Sequence, residues 1–363
     1  MNVNTIAQTN RRNYGIDLLR LHSMFLVTIL HVLGHGGVLN ASQGINNSLA
    51  WLLEISAYCA VDCFAIISGF VCYSDEEKTY RYRKFISFWL QVFVYSFGIA
   101  LAAYIIKPQS MSLKDVLKFA IPVATKKYWY VSAYAGLFFV IPWLNKLVRT
   151  CSKREYIIVL SLIVLFSIQS LIYDPYSLMY GYSFVWLVIL YILGAFLKKY
   201  NIPHLIKNKT WIIILVSCIL LTWVWKNSSP ILPDIFVNYI SPTTLLVAIS
   251  YVCIFSNFHF GENATRIIHI LSPAAFGVYL IHEQEIVRDN LISQSFIWIA
   301  SSTPLLLAFQ VLGCAFGIFA VCLLIEIIRR YIFKIVHVDA MIDRISDAFL
   351  IWINLFLNKH NII

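Results

Sequence analysis

Ten apolar runs alternate with short polar or charged connectors, at about residues 14–35, 49–73, 84–106, 128–148, 156–173, 182–198, 211–226, 240–256, 268–287 and 305–329. The hydrocarbon core of a bilayer takes about 20 residues of helix, with a range of about 17 to 25. Helices satisfy their own backbone polar groups there, which irregular chain cannot. The pattern therefore predicts an all-α, polytopic membrane helix bundle of about ten transmembrane helices. The polar start, MNVNTIAQTNRR, has no small-residue cleavage site ahead of an apolar core, so the first span is expected to be retained. After Arg330 the run AFLIWINLFL is too short to cross and is flanked by Asp347 and Lys359, which predicts an interfacial segment. The chain thus divides into an integral-membrane domain, 1–330, and a tail, 331–363.

Composition agrees: 60% hydrophobic and 13% charged residues, with a mean hydropathy of +0.75, leave too little polar surface for a water-soluble domain. The net charge of +10 reads as topology. With both termini cytoplasmic, 20 of the 28 Lys and Arg residues fall inside, seven outside, and Arg20 lies within the first span. Five of the seven (Lys107, Lys114, Lys118, Lys126 and Lys127) share one loop. There SLKDVLKFA starts with a Ser112 cap and spaces its apolar residues helically, predicting a short amphipathic helix on the membrane surface. The expected partner of the cationic loops is anionic lipid, not nucleic acid, since no basic soluble domain is present.

Arg20 and His31 interrupt the first apolar run. Ionisable groups at membrane depth mark function by default. Eleven helical steps put them within about 20° of one face and about 16 Å apart along the axis. Asp17, three residues before Arg20, is placed to neutralise and orient its guanidinium. Arg20 has a plainer role open to it, snorkelling to inner headgroups, and His31 one of packing at the helix end. Glu54 and Asp62, in or beside the second span, should face the bundle interior. His31 and His35 stand i, i+4 and would both reach one metal ion, but no third ligand is evident, and no metal is expected. The cysteines form no C-x-x-C pair, and Walker, G-x-G-x-x-G and G-x-S-x-G motifs are missing.

Five patterns occur in order: Arg20, ten residues, His31; Phe64-x-x-x-Ser68-Gly69-Phe70; the basic cluster Arg81, Arg83, Lys84; YWYVSAYAGLFFVIPWLN from Tyr128 to Asn145; and SPAAFGVYLIH from Ser272 to His282. With them the chain resembles the acyltransferase-3 family of bacterial integral-membrane O-acyltransferases. That family tends to carry two arginines separated by two residues where this chain has Arg81 and Lys84, which keeps the charge and loses one planar fork.

The resemblance implies a multi-pass protein of the bacterial plasma membrane. It would move an acyl group, commonly acetyl, from cytoplasmic acyl-CoA to a hydroxyl of a cell-surface glycan or lipid-linked sugar precursor. Acyl-CoA is then a donor substrate, and no permanently bound cofactor is expected. His31 would be the general base, with an unperturbed pKa near 6.5. Arg20, oriented by Asp17, would hold a CoA phosphate or carbonyl, and Arg81, Arg83 and Lys84 stand where the nucleotide arrives. Ser68 reads as close packing beside Gly69 or as a hydroxyl orienting a ligand. Trp129 and Tyr130 read as an interfacial belt or as a stacking surface for adenine or sugar. His282 and Glu283 would line the cavity or orient a partner. The competing function is a polysaccharide or glycolipid export component without acyl chemistry, because ten helices around buried charge equally suit a translocation path.

Overall fold

Asn13 starts the first helix by accepting the backbone N–H of Ile16 at 3.1 Å, and Gly34, Gly36 and Gly37 follow its end. Gly37 has φ +86°, a left-handed conformation that glycine adopts without the Cβ penalty, so the chain turns there. The computed structural model describes residues 12–76 and 82–359, which are helical with no strand among them. The order is α1 (Tyr14–Leu33), α2 (Val38–Ala41), α3 (Gly44–Ala57), α4 (Ala60–Cys72), α5 (Tyr82–Ile106) and α6 (Leu113–Lys118). Then come α7 (Trp129–Thr150), α8 (Lys153–Ile172), α9 (Phe184–Lys199), α10 (Ile202–Leu205), α11 (Asn208–Ser228) and α12 (Pro242–Ser256). The last are α13 (Glu262–Leu271), α14 (Ala275–His282), α15 (Glu285–Val287), α16 (Pro304–Ile335) and α17 (Val338–Lys359).

Among the described residues eight helical stretches are long and apolar enough to cross a membrane, with α3–α4 and α13–α14 each counting as one. Helices also occupy the other two expected positions, but α9 and α12 have 16 and 15 residues, under about 25 Å at about 1.5 Å each. Both are largely buried between neighbours, α9 against α4 and α7, and α12 against α11, α4 and α1. The second expected span breaks at Tyr58–Cys59, just after Ser56 donates back to the Leu52 carbonyl at 2.7 Å, a bond that bends helices. The amphipathic segment forms as expected: Ser112 caps α6 by accepting from Asp115 N, and Val116 and Phe119 bury against Ala100 of α5. The tail helix runs further than the apolar stretch alone, over 22 residues, and α16 continues to Ile335.

Glycines set the tightest contacts. A Cβ on Gly69 of α4 would lie 1.9 Å from the Tyr191 carbonyl oxygen of α9, and one on Gly194 of α9 would lie 2.0 Å from that of Ile66. The two backbones touch at a reciprocal small-residue crossing, a common device where lipid supplies no hydrophobic drive between helices.

Polar contacts sort to the two ends of the bundle. At one end Arg12 meets His269, Arg83 meets Asp339 and Asp343, and Lys198 donates to the Tyr73 carbonyl. At the other His31 meets His282, Lys127 meets Glu285, and Trp223 donates to the Ser48 carbonyl. The C-terminal ends of α1 and α14 meet at the second of these ends.

Gly69→Ala should lower stability by about 1–3 kcal/mol, the usual cost of overpacking. Gly98→Ala on α5, where a Cβ meets nothing within 4 Å, should stay at or above wild type. Thermal unfolding of the two variants in detergent checks the contrast.

Candidate active site

Regular helix through α1 puts Arg20, Met24, Val27 and His31 on one face at i, i+4, i+7 and i+11. Met24, Val27 and His31 line a cavity of about 190 Å³, with Arg20 one turn beyond toward the N-terminal end. Trp129 and Tyr130 of α7, Phe276 and Tyr279 of α14, and Tyr182 and Tyr239 from connecting segments supply the aromatic walls. Trp129 lies with its ring 4.6 Å from that of Tyr182 and stacks at 6.3 Å on Tyr239. The Tyr128 hydroxyl donates to the Leu280 carbonyl at 2.9 Å, so the start of α7 is pinned to α14.

His282 ends α14 and is buried. Its Nδ1 lies 2.5 Å from the Val278 carbonyl oxygen, which only accepts, so Nδ1 carries the proton. In the neutral ring Nε2 is then an acceptor, and it lies 2.8 Å from His31 Nδ1. His31 must therefore be protonated on Nδ1, which leaves the Nε2 lone pair of this cavity-lining residue free. Two successive hydrogen bonds choose the tautomer that a base needs.

Glu283, the next residue, puts Oε2 3.3 Å from His31 Nδ1 and 3.7 Å from His35 Nε2. Arg288 Nη1 donates to its other oxygen, Oε1, at 3.1 Å. Burial pushes the Glu283 carboxyl up to about 7 against the pull of the Arg288 guanidinium. For His35, burial and then the same guanidinium lower the pKa.

At the far end of the face Asp17, almost fully buried, accepts from Arg12 Nε at 2.5 Å, Arg20 Nη1 at 2.8 Å and the Ser272 hydroxyl at 3.2 Å. The pairing of Asp17 with Arg20 is the one expected, and Arg20 keeps about a third of its side chain exposed.

The structure therefore brings His31, Glu283, Trp129 and Tyr130 to one cavity, with His282 buried behind His31 and bonded to it. Other candidates lie apart from it. Asp62 is fully buried and accepts the Trp186 indole N–H at 3.0 Å, and Glu54 is buried in α3. Ser68 donates to the Phe64 carbonyl at 2.9 Å, with the Tyr134 hydroxyl against it. Arg83 is engaged by Asp339 and Asp343 of α17, and Lys84 is exposed. Arg81 lies outside the described residues. Arg12, Arg288, Tyr182 and Tyr239 are contributors that pattern and motif did not single out. Tyr279 and His35 lay inside or beside quoted stretches, whereas Tyr182 and Tyr239 sit in connectors with no chemical signature.

Fold and site together define a multi-pass membrane protein with a histidine and carboxylate pair at an aromatic-walled cavity. The chain belongs to the acyltransferase-3 family: the family model, described as an acyltransferase domain, matches residues 13–327. That span takes in α1 through most of α16 and every cavity residue, and it identifies a membrane acyltransferase. No curated protein and no solved structure compared with the chain matches it.

Trp186→Phe removes the donor to Asp62 and leaves its carboxyl group buried with no partner. It should destabilise the protein by about 1–3 kcal/mol, read as a lower unfolding midpoint in detergent, and Asp62→Asn should cost less.

Proposed function

We propose that the chain is an O-acyltransferase of the bacterial plasma membrane, moving an acyl group, acetyl in its simplest form, from acyl-CoA to a hydroxyl of a glycan or lipid-linked sugar. The observation that carries this reading is the chain of contacts from the Val278 carbonyl through His282 to His31 Nδ1, which leaves Nε2 of that cavity-lining residue as the nitrogen able to accept a proton.

In the proposed step His31 Nε2 takes the proton of the acceptor hydroxyl while its oxygen attacks the thioester carbonyl. The tetrahedral intermediate collapses, the C–S bond breaks, and the thiolate of CoA takes the proton back from the imidazolium. Ester and free CoA are the products. Glu283, with Oε2 3.3 Å from His31 Nδ1, favours the transient imidazolium, and His282 aims the ring. Arg20 stands about 16 Å away on the same face, a distance that suits an extended pantetheine arm passing Met24 and Val27. With the N-terminus cytoplasmic, Arg20 and Arg12 meet the phosphates of the incoming donor, and His31 meets an acceptor from the opposite side. Trp129 and Tyr239 offer ring faces to a sugar.

Purified protein in proteoliposomes with acetyl-CoA and a host glycan extract tests this. Wild type should release CoA and form ester, and His31→Ala at matched protein level should lose about 10²–10⁴-fold in rate. Arg20→Ala should raise KM for acyl-CoA more than it lowers kcat, and His282→Ala should lower kcat with little change in KM. Normal acylation by His31→Ala overturns the base assignment. Glycan crossing the vesicle unchanged, with no acyl transfer, favours an export function.

A further inference from the structure

The fold completes a ligand set that the sequence leaves one short. Glu283 Oε2, His31 Nδ1 and His35 Nε2 lie within 4.8 Å of one another. Glu283 is 9% exposed, and its Oε2 accepts no hydrogen bond, since Arg288 engages Oε1 instead. A buried carboxylate oxygen facing two imidazole nitrogens is a donor set that suits a cation. A tetrahedral ion bound at about 2.0–2.2 Å would hold its ligand atoms about 3.4 Å apart. The separations of 3.3 and 3.7 Å from Glu283 are already close to that. The remaining pair closes by rotation of His35, which follows the end of α1 and is 42% exposed. Its backbone is meanwhile anchored, its carbonyl accepting Gln294 N at 2.9 Å.

We propose that His31, His35 and Glu283 bind a divalent transition-metal ion of the Zn²⁺ class, and that the ion switches off His31 as a base. Two imidazoles select this class over Mg²⁺ and Ca²⁺, which take oxygen ligands. The ion claims the lone pair of His31 Nδ1. The proton of the neutral ring then resides on Nε2, the atom that must be free to receive one, and the hydrogen bond to His282 is lost. Metal binding thereby inverts the tautomer that His282 imposes. The metal site stands on geometry alone, and only its inhibitory consequence rests on the proposed function.

Calorimetric titration of Zn²⁺ into the full chain, purified in detergent and stripped with chelator, tests the site, with Mg²⁺ as the comparison. One Zn²⁺ per chain is expected, weakened at least about tenfold in His35→Ala and in Glu283→Gln and unchanged in His259→Ala, whose histidine is exposed elsewhere. Unfolding curves of the variants separate lost ligands from lost fold. No binding, or equal binding in every variant that remains folded, overturns the site. In the acyl-transfer assay Zn²⁺ should inhibit reversibly, with a midpoint matching the calorimetric Kd and relief by chelator. Stimulation by Zn²⁺ overturns the switch. A metal-free chain that transfers no acyl group overturns the functional reading instead, and calorimetry decides the metal site without it.

Discussion

A polar group at membrane depth has no water to fall back on, and the buried carboxylates Glu326 and Asp17 find their partners on other helices and within their own turn. That constraint selects the neighbours. Glu326 of α16 is fully buried and takes two bonds from Arg329, one from the Tyr95 hydroxyl and one from Gln91. Gly277 leaves the room: a Cβ there would come within 2.5 Å of Glu326. One carboxylate ties α5 to α16, and α14 packs close against it at Gly277. Asp17 does the same at the start of α1, gathering Arg12, Arg20 and Ser272. Removing one partner of such a buried pair typically costs about 3–5 kcal/mol, because the charge left behind is uncompensated.

The cavity follows from the same rule applied to imidazole. His282 donates its Nδ1–H to the Val278 carbonyl, one helical turn back, and so has the Nε2 lone pair to offer His31. The end of α14 thus determines the chemistry at the end of α1. Glu283 extends the arrangement by one residue, and Arg288 secures the carboxylate from the irregular segment that follows. Such a site is rigid on its protein side and open toward the aromatic walls, as a group that must accept and return a proton requires. The same openness, with an unpartnered Glu283 oxygen and a rotatable His35, makes the site receptive to a metal ion.

Legibility differed residue by residue. The phase of Arg20 and His31 on one helix face, the pairing of Asp17 with Arg20 and the Ser112 cap were readable because each depends on contacts within about one helical turn or on a fixed helical repeat. Trp129 and Tyr130 were readable as aromatic candidates, and their place in a cavity wall came only with α14 and the 182 and 239 connectors. Arg83 carried the right charge at the right end, but α17 returns Asp339 and Asp343 to it. The break at Tyr58–Cys59 lies in a stretch with no proline and no long-range signal, so hydropathy reads it as continuous.

The sequence by itself determined the solvent, the all-α helical class, the family motifs and which residues could titrate, because these depend on composition and local periodicity. Tertiary structure alone decided which nitrogen of His31 is free, that Glu283 stands beside both His31 and His35, and that Asp62 serves Trp186. Those outcomes depend on separations of a few ångströms between residues far apart in the chain, a scale that helix packing sets and spacing along one helix does not.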